Sequence, residues 1–160
     1  MIPRFTTITL RPHPLQFVIN ELIPTALCLL ALAYGGMDGD FSMESMYAGI
    51  AMLLFLIYKY IRLRRTIYTI TGEQLKKAEG VFTREGDYVE LYRVIDFAER
   101  KNFLQQLFGL KTVTILSGDR TTPKLSVQGV KESIDLVSII RERVEYTKTQ
   151  KPVYEITNRY

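Results

Sequence analysis

Residues 46–65 constrain the fold more than any other stretch of the chain. They begin as an uncharged apolar run and end in a basic cluster. This cluster consists of Lys59, Arg62, Arg64 and Arg65. Directly after it, residues 66–71 alternate in a manner typical of a β-strand. The stretch therefore predicts a membrane span, a basic stop and the start of a folded β-domain, in that order.

Two apolar segments are long enough to cross a bilayer. Residues 15–34 form the first, because twenty helical residues rise about 30 Å, the thickness of a bilayer core. Residues 46–61 form the second. Residues 35–45 between them hold glycines and acids but no lysine or arginine. We therefore predict a membrane α-hairpin of two transmembrane helices with a short extracytoplasmic loop.

Two residues of the first segment are unusual for a span. Glu21 is acidic, and ionisable side chains inside a membrane are costly unless they are paired. We therefore treat Glu21 as a candidate contact with a partner helix. Pro24 predicts a kink, because proline removes one helical hydrogen bond. A buried helical hairpin of a soluble protein is the alternative interpretation of the two segments.

The charges that flank the segments predict their orientation. Arg4 and Arg11 precede the first segment, the basic cluster closes the second, and the loop has no basic residue. By the positive-inside rule, both termini are expected in the cytoplasm. Residues 1–14 then form a cytoplasmic juxtamembrane segment.

Residues 62–147 have the pattern of a small, mainly β soluble domain. Strands are predicted at 66–71, 75–84, 88–94, 111–116 and 124–127. In the third of these strands, Val89, Leu91 and Arg93 are expected on one face. Short strands joined by glycine turns favour a small sandwich or open barrel.

Apolar residues at helical spacing predict two helices in the same domain. The first covers residues 102–108 and ends at Gly109, and the second covers residues 131–147. The second helix is expected to pack on the β-structure. The tail, residues 148–160, is interpreted either as an added strand or as a disordered end.

The sequence has no pattern typical of catalysis or metal binding. The single cysteine, Cys28, and the single histidine, His13, cannot build a disulfide or a Cys/His metal site. Nucleophile-elbow, phosphate-loop and zinc-protease motifs are absent. Residues 62–160 carry 18 basic against 13 acidic residues, too interspersed to indicate nucleic acid. We expect no cofactor, no metal, no nucleic acid and no small-molecule substrate.

Seven basic residues lie in or beside the predicted β-turns and are candidates for contact with lipid or a protein partner. They are Lys76, Lys77, Arg84, Arg93, Arg100, Lys101 and Lys111. Each basic residue near an anionic membrane contributes roughly 1 kcal/mol of attraction. A domain held beside a membrane carries basic residues in any case, so a merely solvated surface is the alternative.

The order of these elements resembles the bacterial pleckstrin-homology-like (bPH) family in its membrane-anchored form. The matching residues are Tyr68–Thr71, Leu75, Gly80–Arg84, Leu91–Asp96, Leu104, Leu107–Gly109 and Thr112-Val113. The resemblance spans about residues 15–145. It implies an α+β domain, a PH-like β-barrel or sandwich of two near-orthogonal sheets with a C-terminal capping helix. It also implies a location in the bacterial inner membrane and a binding role, often in oligomers, without catalytic residues.

Two functional hypotheses follow. The first is a membrane-anchored, non-catalytic scaffold at the cytoplasmic face that self-associates or binds a membrane protein partner. Its basis is the absence of a linker between Arg65 and Thr66. The alternative is a module that binds anionic lipid headgroups. A carboxylate-based enzyme is a third and less favoured interpretation.

Overall fold

A computed structural model describes residues 5–150. Four helices, seven strands and a 3₁₀ turn follow one another in this part of the chain. The helices are α1 Leu15–Gly35, α2 Ser42–Arg65, α3 Phe103–Leu107 and α4 Leu136–Gln150. The strands are β1 Ile8–Leu10, β2 Ile67–Ile70, β3 Gln74–Glu79, β4 Glu85–Glu90, β5 Val94–Arg100, β6 Leu110–Ser117 and β7 Lys124–Lys131. Residues 151–160 of the predicted tail lie outside the described residues.

The β-domain consists of two antiparallel sheets. One has the strand order β1-β2-β3-β4 and the other β5-β6-β7. Buried apolar side chains from both sheets form one core, which includes Ile70, Leu75, Val89, Ile115 and Val127. Leu136, Ile140 and Val144 of α4 complete it. The predicted fold class, a helical hairpin followed by a PH-like sandwich with a C-terminal helix, is confirmed.

Small residues let α1 and α2 pack closely against each other. A Cβ atom on Gly49 would lie 2.7 Å from Leu32 Cδ2, closer than real side chains approach. Ser45 Oγ donates a hydrogen bond of 2.8 Å to the carbonyl oxygen of Ala31. The kink predicted from Pro24 occurs at Glu21, where φ is −116° and ψ is 22°.

The hairpin turns its apolar side chains outward. In the most apolar 18-residue window of each helix, 11% of the residues are buried within the protein. Ile23 is 73% exposed and Leu54 63% exposed. Both helices are long and apolar enough to cross a membrane. A soluble hairpin, the alternative considered above, would bury these faces in its own core.

The strand predicted over 88–94 is wrong in its second half. β4 ends at Glu90, Leu91–Arg93 form the 3₁₀ turn, and β5 begins at Val94. This turn moves the chain from the first sheet to the second, so the alternation of side chains breaks. Leu91 and Val94 are both buried, whereas Arg93 is exposed.

Three other strand boundaries differ from the sequence pattern. Residues 82–84 belong to the turn between β3 and β4, because Gly80 has φ +125° and a Cβ there would meet the Thr83 carbonyl oxygen at 1.8 Å. β5 is a strand that the charged sequence did not predict. β1 also lies in the segment predicted as juxtamembrane, where Ile8 pairs with Ile70 of β2.

The last helix begins five residues later than predicted. Residues 124–131 form the single strand β7, and α4 starts at Leu136. Asp135 therefore precedes the helix, and its Oδ1 accepts a hydrogen bond of 3.1 Å from the Ser138 N–H. This is the usual way in which an aspartate caps a helix start.

Candidate functional site

The junction between the hairpin and the β-domain is the candidate site. On one side, α2 ends at Arg65 and β2 begins at Ile67, so a single residue separates helix from strand. That residue, Thr66, is buried, and its Oγ1 donates a hydrogen bond of 3.0 Å to the carbonyl oxygen of Arg62. The strand therefore continues from the helix without slack.

A second connection joins the start of α1 to the other sheet. The His13 N–H donates a hydrogen bond of 3.0 Å to the carbonyl oxygen of Gly129 on β7. Gly129 has φ +67°, and a Cβ there would lie 3.0 Å from the Cβ of Gln16. Glycine is thus required both by the backbone conformation and by the close approach of α1.

Buried amides strengthen this second connection. Gln105 of α3 is 2% exposed, and its Nε2 donates hydrogen bonds of 2.9 Å to Gln16 Oε1 and to Thr112 Oγ1. Gln16 is also buried, and its Nε2 donates to Asn20 Oδ1 at 2.8 Å. The start of α1 is therefore held through side chains as well as through the backbone.

Glu21 pairs within the hairpin. Lys59 Nζ lies 2.8 Å from Glu21 Oε1, and each residue lies six positions from the domain-side end of its helix, about 9 Å along the axis. The two charges thus meet at the same depth. The polar contact predicted for Glu21 is therefore made within the same chain. Its partner is Lys59, which the sequence pattern had assigned only to orientation.

Four arginines converge on a cavity of about 250 Å³ between the end of α2 and the first sheet. They are Arg11, Arg64, Arg65 and Arg84. All four are exposed, and none forms an ion pair with a residue that the structure describes. The cavity therefore concentrates unneutralised positive charge beside the hairpin.

The one carboxylate lining this cavity, Glu79, is already neutralised. Lys77 Nζ lies 2.9 Å from its Oε2, and Arg62 Nη2 lies 3.1 Å from its Oε1. Burial raises the pKa of Glu79, but the hydrogen bonds and charges of Lys77 and Arg62 outweigh it and lower the pKa below its usual value. Glu79 thus stays ionised and committed to these two partners.

The other predicted basic residues do not join this cluster. Lys76 Nζ lies 4.8 Å from the centre of the Tyr88 ring, and Arg93 Nη1 lies 3.4 Å from Asp119 Oδ1. Lys101 pairs with Glu132. Arg100 ends β5 as an exposed residue. These four residues lie apart, on β3, in the 3₁₀ turn, at the end of β5 and directly after it.

Lys111 is unsuited to the surface role predicted for it. It is 5% exposed, and its Nζ donates a hydrogen bond of 2.8 Å to Glu99 Oε1. Its ammonium group is committed to a structural ion pair inside the domain. Turn position alone did not reveal this, because Lys111 is the second residue of β6, a strand whose side chains are mostly buried.

Sequence reasoning missed the residues that hold the junction from the α1 side. Gln16, Gln105 and Gly129 carry no signal that separates them from ordinary polar or turn residues. The Asn102–Gln105 capping box at the start of α3 was readable in principle. The capping role, however, uses only Oε1 of Gln105, and the bonds to Gln16 and Thr112 use Nε2.

The arrangement provides charge and shape suited to binding. Among residues 5–150, no group of His, Cys, Asp or Glu side chains could hold a metal ion. Cys28 is buried between the helices, where its Sγ contacts the Gly49 carbonyl oxygen at 3.4 Å.

Comparison with known proteins agrees with this architecture. No curated protein and no solved structure matches the chain. The family described as "Bacterial PH domain" matches residues 18–147, which cover α1 from its fourth residue, all of α2, strands β2 to β7 and most of α4, but not β1. PH-like domains are generally non-catalytic modules. The chain belongs to the bacterial PH domain family.

Proposed function

We propose that the protein is a membrane-anchored, non-catalytic interaction module. Its hairpin holds the PH-like domain at one height and one orientation on the cytoplasmic face of the bacterial inner membrane. The observation that carries this proposal is the double connection at the junction. The domain is attached to α2 through Thr66 and to α1 through the Gln16–Gln105 hydrogen bond.

The outward apolar faces of the hairpin support the membrane assignment. Exposed leucine, isoleucine and phenylalanine side chains along two long helices are unfavourable in water and favourable in a lipid core. The charges that flank the helices support cytoplasmic termini, as the positive-inside rule requires.

The proposed partner is a second copy of the chain or another membrane protein, bound at the β5 edge of the second sheet. β5 pairs with β6 on one side, and no described strand pairs with its outer edge. Ile95 on this strand is 73% exposed. Free edges with exposed apolar side chains are suited to strand addition. The edge strand of the first sheet, β4, is a poorer candidate because its charged residues, Glu85, Asp87 and Glu90, are all acidic, whereas Arg100 offsets part of the acidic charge of β5.

The size of the solubilised protein tests this proposal. We expect the full chain in mild detergent to run as an oligomer or to co-purify with a membrane protein. Ile95→Asp should weaken the association, because it places a charge on the β5 edge. Gln128→Asp, at an exposed position on β7, the opposite edge strand of the same sheet, is the matched control. A clean monomer without a partner in several detergents would contradict the proposal.

The arginine-lined cavity favours a second function, the binding of an anionic lipid headgroup. Arg11, Arg64, Arg65 and Arg84 present guanidinium groups that suit phosphate oxygens. They lie at the domain-side end of α2, where the headgroups of a surrounding bilayer would be.

Native mass spectrometry of the full chain released from nanodiscs tests this second function. The wild type should retain phosphatidylglycerol in preference to phosphatidylcholine. Arg11→Gln/Arg84→Gln should lose this preference, whereas Arg93→Gln/Arg120→Gln, which removes the same charge elsewhere, should keep it. Equal loss in both variants would indicate a nonspecific charge effect and rule out the cavity as a site.

A further inference from the structure

Two apolar surfaces of the β-domain remain unexplained by its own packing. Phe82, in the turn between β3 and β4, is 92% exposed. Phe103 and Leu107 of α3 are 79% and 67% exposed. Soluble domains carry single exposed apolar residues routinely, but here Phe82 contacts one helix of the hairpin, and Phe103 and Leu107 belong to a helix, α3, that contacts the other. Their position, more than their exposure, indicates a role.

Phe82 lies beside α2 rather than below its end. Its ring stacks on that of Tyr58, with 6.4 Å between the ring centres and 10° between the planes. Tyr58 precedes Arg65, the last residue of α2, by seven positions, which corresponds to about 10 Å along the helix axis. The turn therefore extends back along the span, to the same level as the Glu21–Lys59 pair.

α3 lies against the start of the other helix. Gln105, on the inner face of α3, donates a hydrogen bond to Gln16, the second residue of α1. Phe103 and Leu107 are four residues apart, so they share a face of α3, and Gln105 lies on the opposite side. The apolar face is thus directed away from the domain contact while the helix stays at the level where α1 begins.

The two helix ends that the β3–β4 turn and α3 contact are themselves adjacent. Phe17 of α1 and Tyr60 of α2 make an edge-on ring contact with 5.3 Å between their centres. Both surfaces therefore flank one point, the place where the hairpin leaves the domain. If the hairpin spans the bilayer, its lipid-facing surface continues directly onto Phe82, and α3 lies at the boundary between lipid and water.

We propose that Phe82 and the Phe103/Leu107 face of α3 insert into the interfacial layer of the bilayer that the hairpin spans. The inference rests on the proposed membrane anchoring and adds two contacts between the domain itself and lipid. Aromatic rings are favoured at this depth, where an apolar body meets the hydrated headgroups. The occupant of both surfaces is lipid, and a second copy of the chain is the competing occupant.

Tryptophan fluorescence provides a direct test, because the chain contains no tryptophan. Phe82→Trp and Leu107→Trp each introduce one reporter at a proposed contact. Leu54→Trp, on the exposed face of α2, reports on the span, and Tyr88→Trp reports on the half-exposed surface of the domain. Each variant is reconstituted as the full chain in nanodiscs with and without brominated phosphatidylcholine.

We expect brominated lipid to quench Phe82→Trp and Leu107→Trp at least half as strongly as Leu54→Trp, with emission at shorter wavelength than Tyr88→Trp. Quenching as weak as that of Tyr88→Trp, while Leu54→Trp is quenched, would overturn the inference and leave the anchoring intact. Protection from both brominated lipid and aqueous iodide would also overturn it, in favour of a second copy. If Leu54→Trp itself escapes quenching, the membrane anchoring fails.

Discussion

The helical hairpin and the β-domain bury opposite kinds of surface. The hairpin exposes apolar side chains such as Leu54 and buries a few polar ones, among them Gln16 and Glu21. The domain buries an apolar core and exposes most of its charge. The comparison shows that apolar surface is directed outward in the hairpin and inward in the domain, and that the polar residues of the junction mark the boundary between the two regions.

The two regions also stabilise a buried charge differently. In the domain, the guanidinium of Arg143 donates to the carbonyl oxygens of Ile70, Thr71 and Thr6 at 2.8–3.0 Å. Burial lowers the pKa of Arg143 from its usual value. In the hairpin, Glu21 instead has a counter-charge, Lys59. Neutral acceptors suffice for the buried guanidinium of Arg143, whereas the buried carboxylate of Glu21 is paired with an opposite charge.

The largest expected loss of stability comes from replacing Arg143 in the β-domain. Arg143→Met leaves three carbonyl acceptors without their donor, and we expect a loss of roughly 3–5 kcal/mol in the free energy of unfolding. Arg141→Met is the control, since Arg141 is exposed and its guanidinium lies 5.9 Å from the centre of the Phe97 ring. Its cost should be below about 1 kcal/mol. Chemical denaturation followed by circular dichroism gives both values, and equal losses would contradict the structural role of Arg143.

The next effect is steric and confined to the hairpin. Gly49→Val places methyl groups where Leu32 Cδ2 already lies within 2.7 Å of a Cβ. We expect a destabilisation of the hairpin by about 1–3 kcal/mol, typical of overpacking. Ala48→Val, on the exposed side of α2, should change little. Unfolding in a detergent titration measures the difference, and identical curves would argue against close packing of the helices.

Breaking the Glu21–Lys59 pair tests whether this ion pair stabilises the hairpin. Glu21→Gln leaves Lys59 without its partner, and Lys59→Met does the reverse. Each should cost about 1–2 kcal/mol, because Lys59 is partly exposed and the pair gains less than a fully buried one. The double variant should cost less than the sum. Strict additivity in this double-mutant cycle would show that the two charges do not interact.

The smallest effect is a pH dependence of the domain. Burial raises the pKa of Tyr68 to about 12 from an ordinary value of 10, partly offset by the hydrogen bond from the Gln128 N–H. The stabilisation from the neutral phenol is therefore complete below pH 10 and is lost as the pH rises towards 12. Relative to Tyr68→Phe, the wild type should lose about 1 kcal/mol by pH 11. A stability difference that does not change with pH would contradict the burial of this hydroxyl.

Sequence patterns recovered what depends on local periodicity. The two long helices, their glycine-rich connection, β2 and the Gly109 stop of α3 all follow from spacing and turn residues. What they could not supply depends on tertiary contacts. β5 carries charges because it is an edge strand, and β1 is too short to show alternation. From the sequence, Arg143 would be predicted to be an exposed helix residue. Only the tertiary structure shows that the carbonyl oxygens of Thr6, Ile70 and Thr71 surround its guanidinium.

The candidate site divides in the same way. Charge segregation predicted that Lys59, Arg62, Arg64 and Arg65 lie at the base of the span. The convergence of Arg11 and Arg84 on Arg64 and Arg65 required β1 and the β3–β4 turn to be in place. Lys111 looked equivalent to the other basic residues, because burial cannot be read from turn proximity.

The fixed mounting of the domain on the hairpin is the central claim, and a distance measurement tests it most directly. Spin labels at Met37→Cys in the α1–α2 loop and Arg120→Cys in the β6–β7 loop, with Cys28→Ala, report across the junction in nanodiscs. A fixed junction predicts one narrow distance distribution, which broadens when a Gly/Ser linker is inserted between Arg65 and Thr66. A broad distribution in the chain without the linker would show that the domain moves on its anchor and would contradict the account.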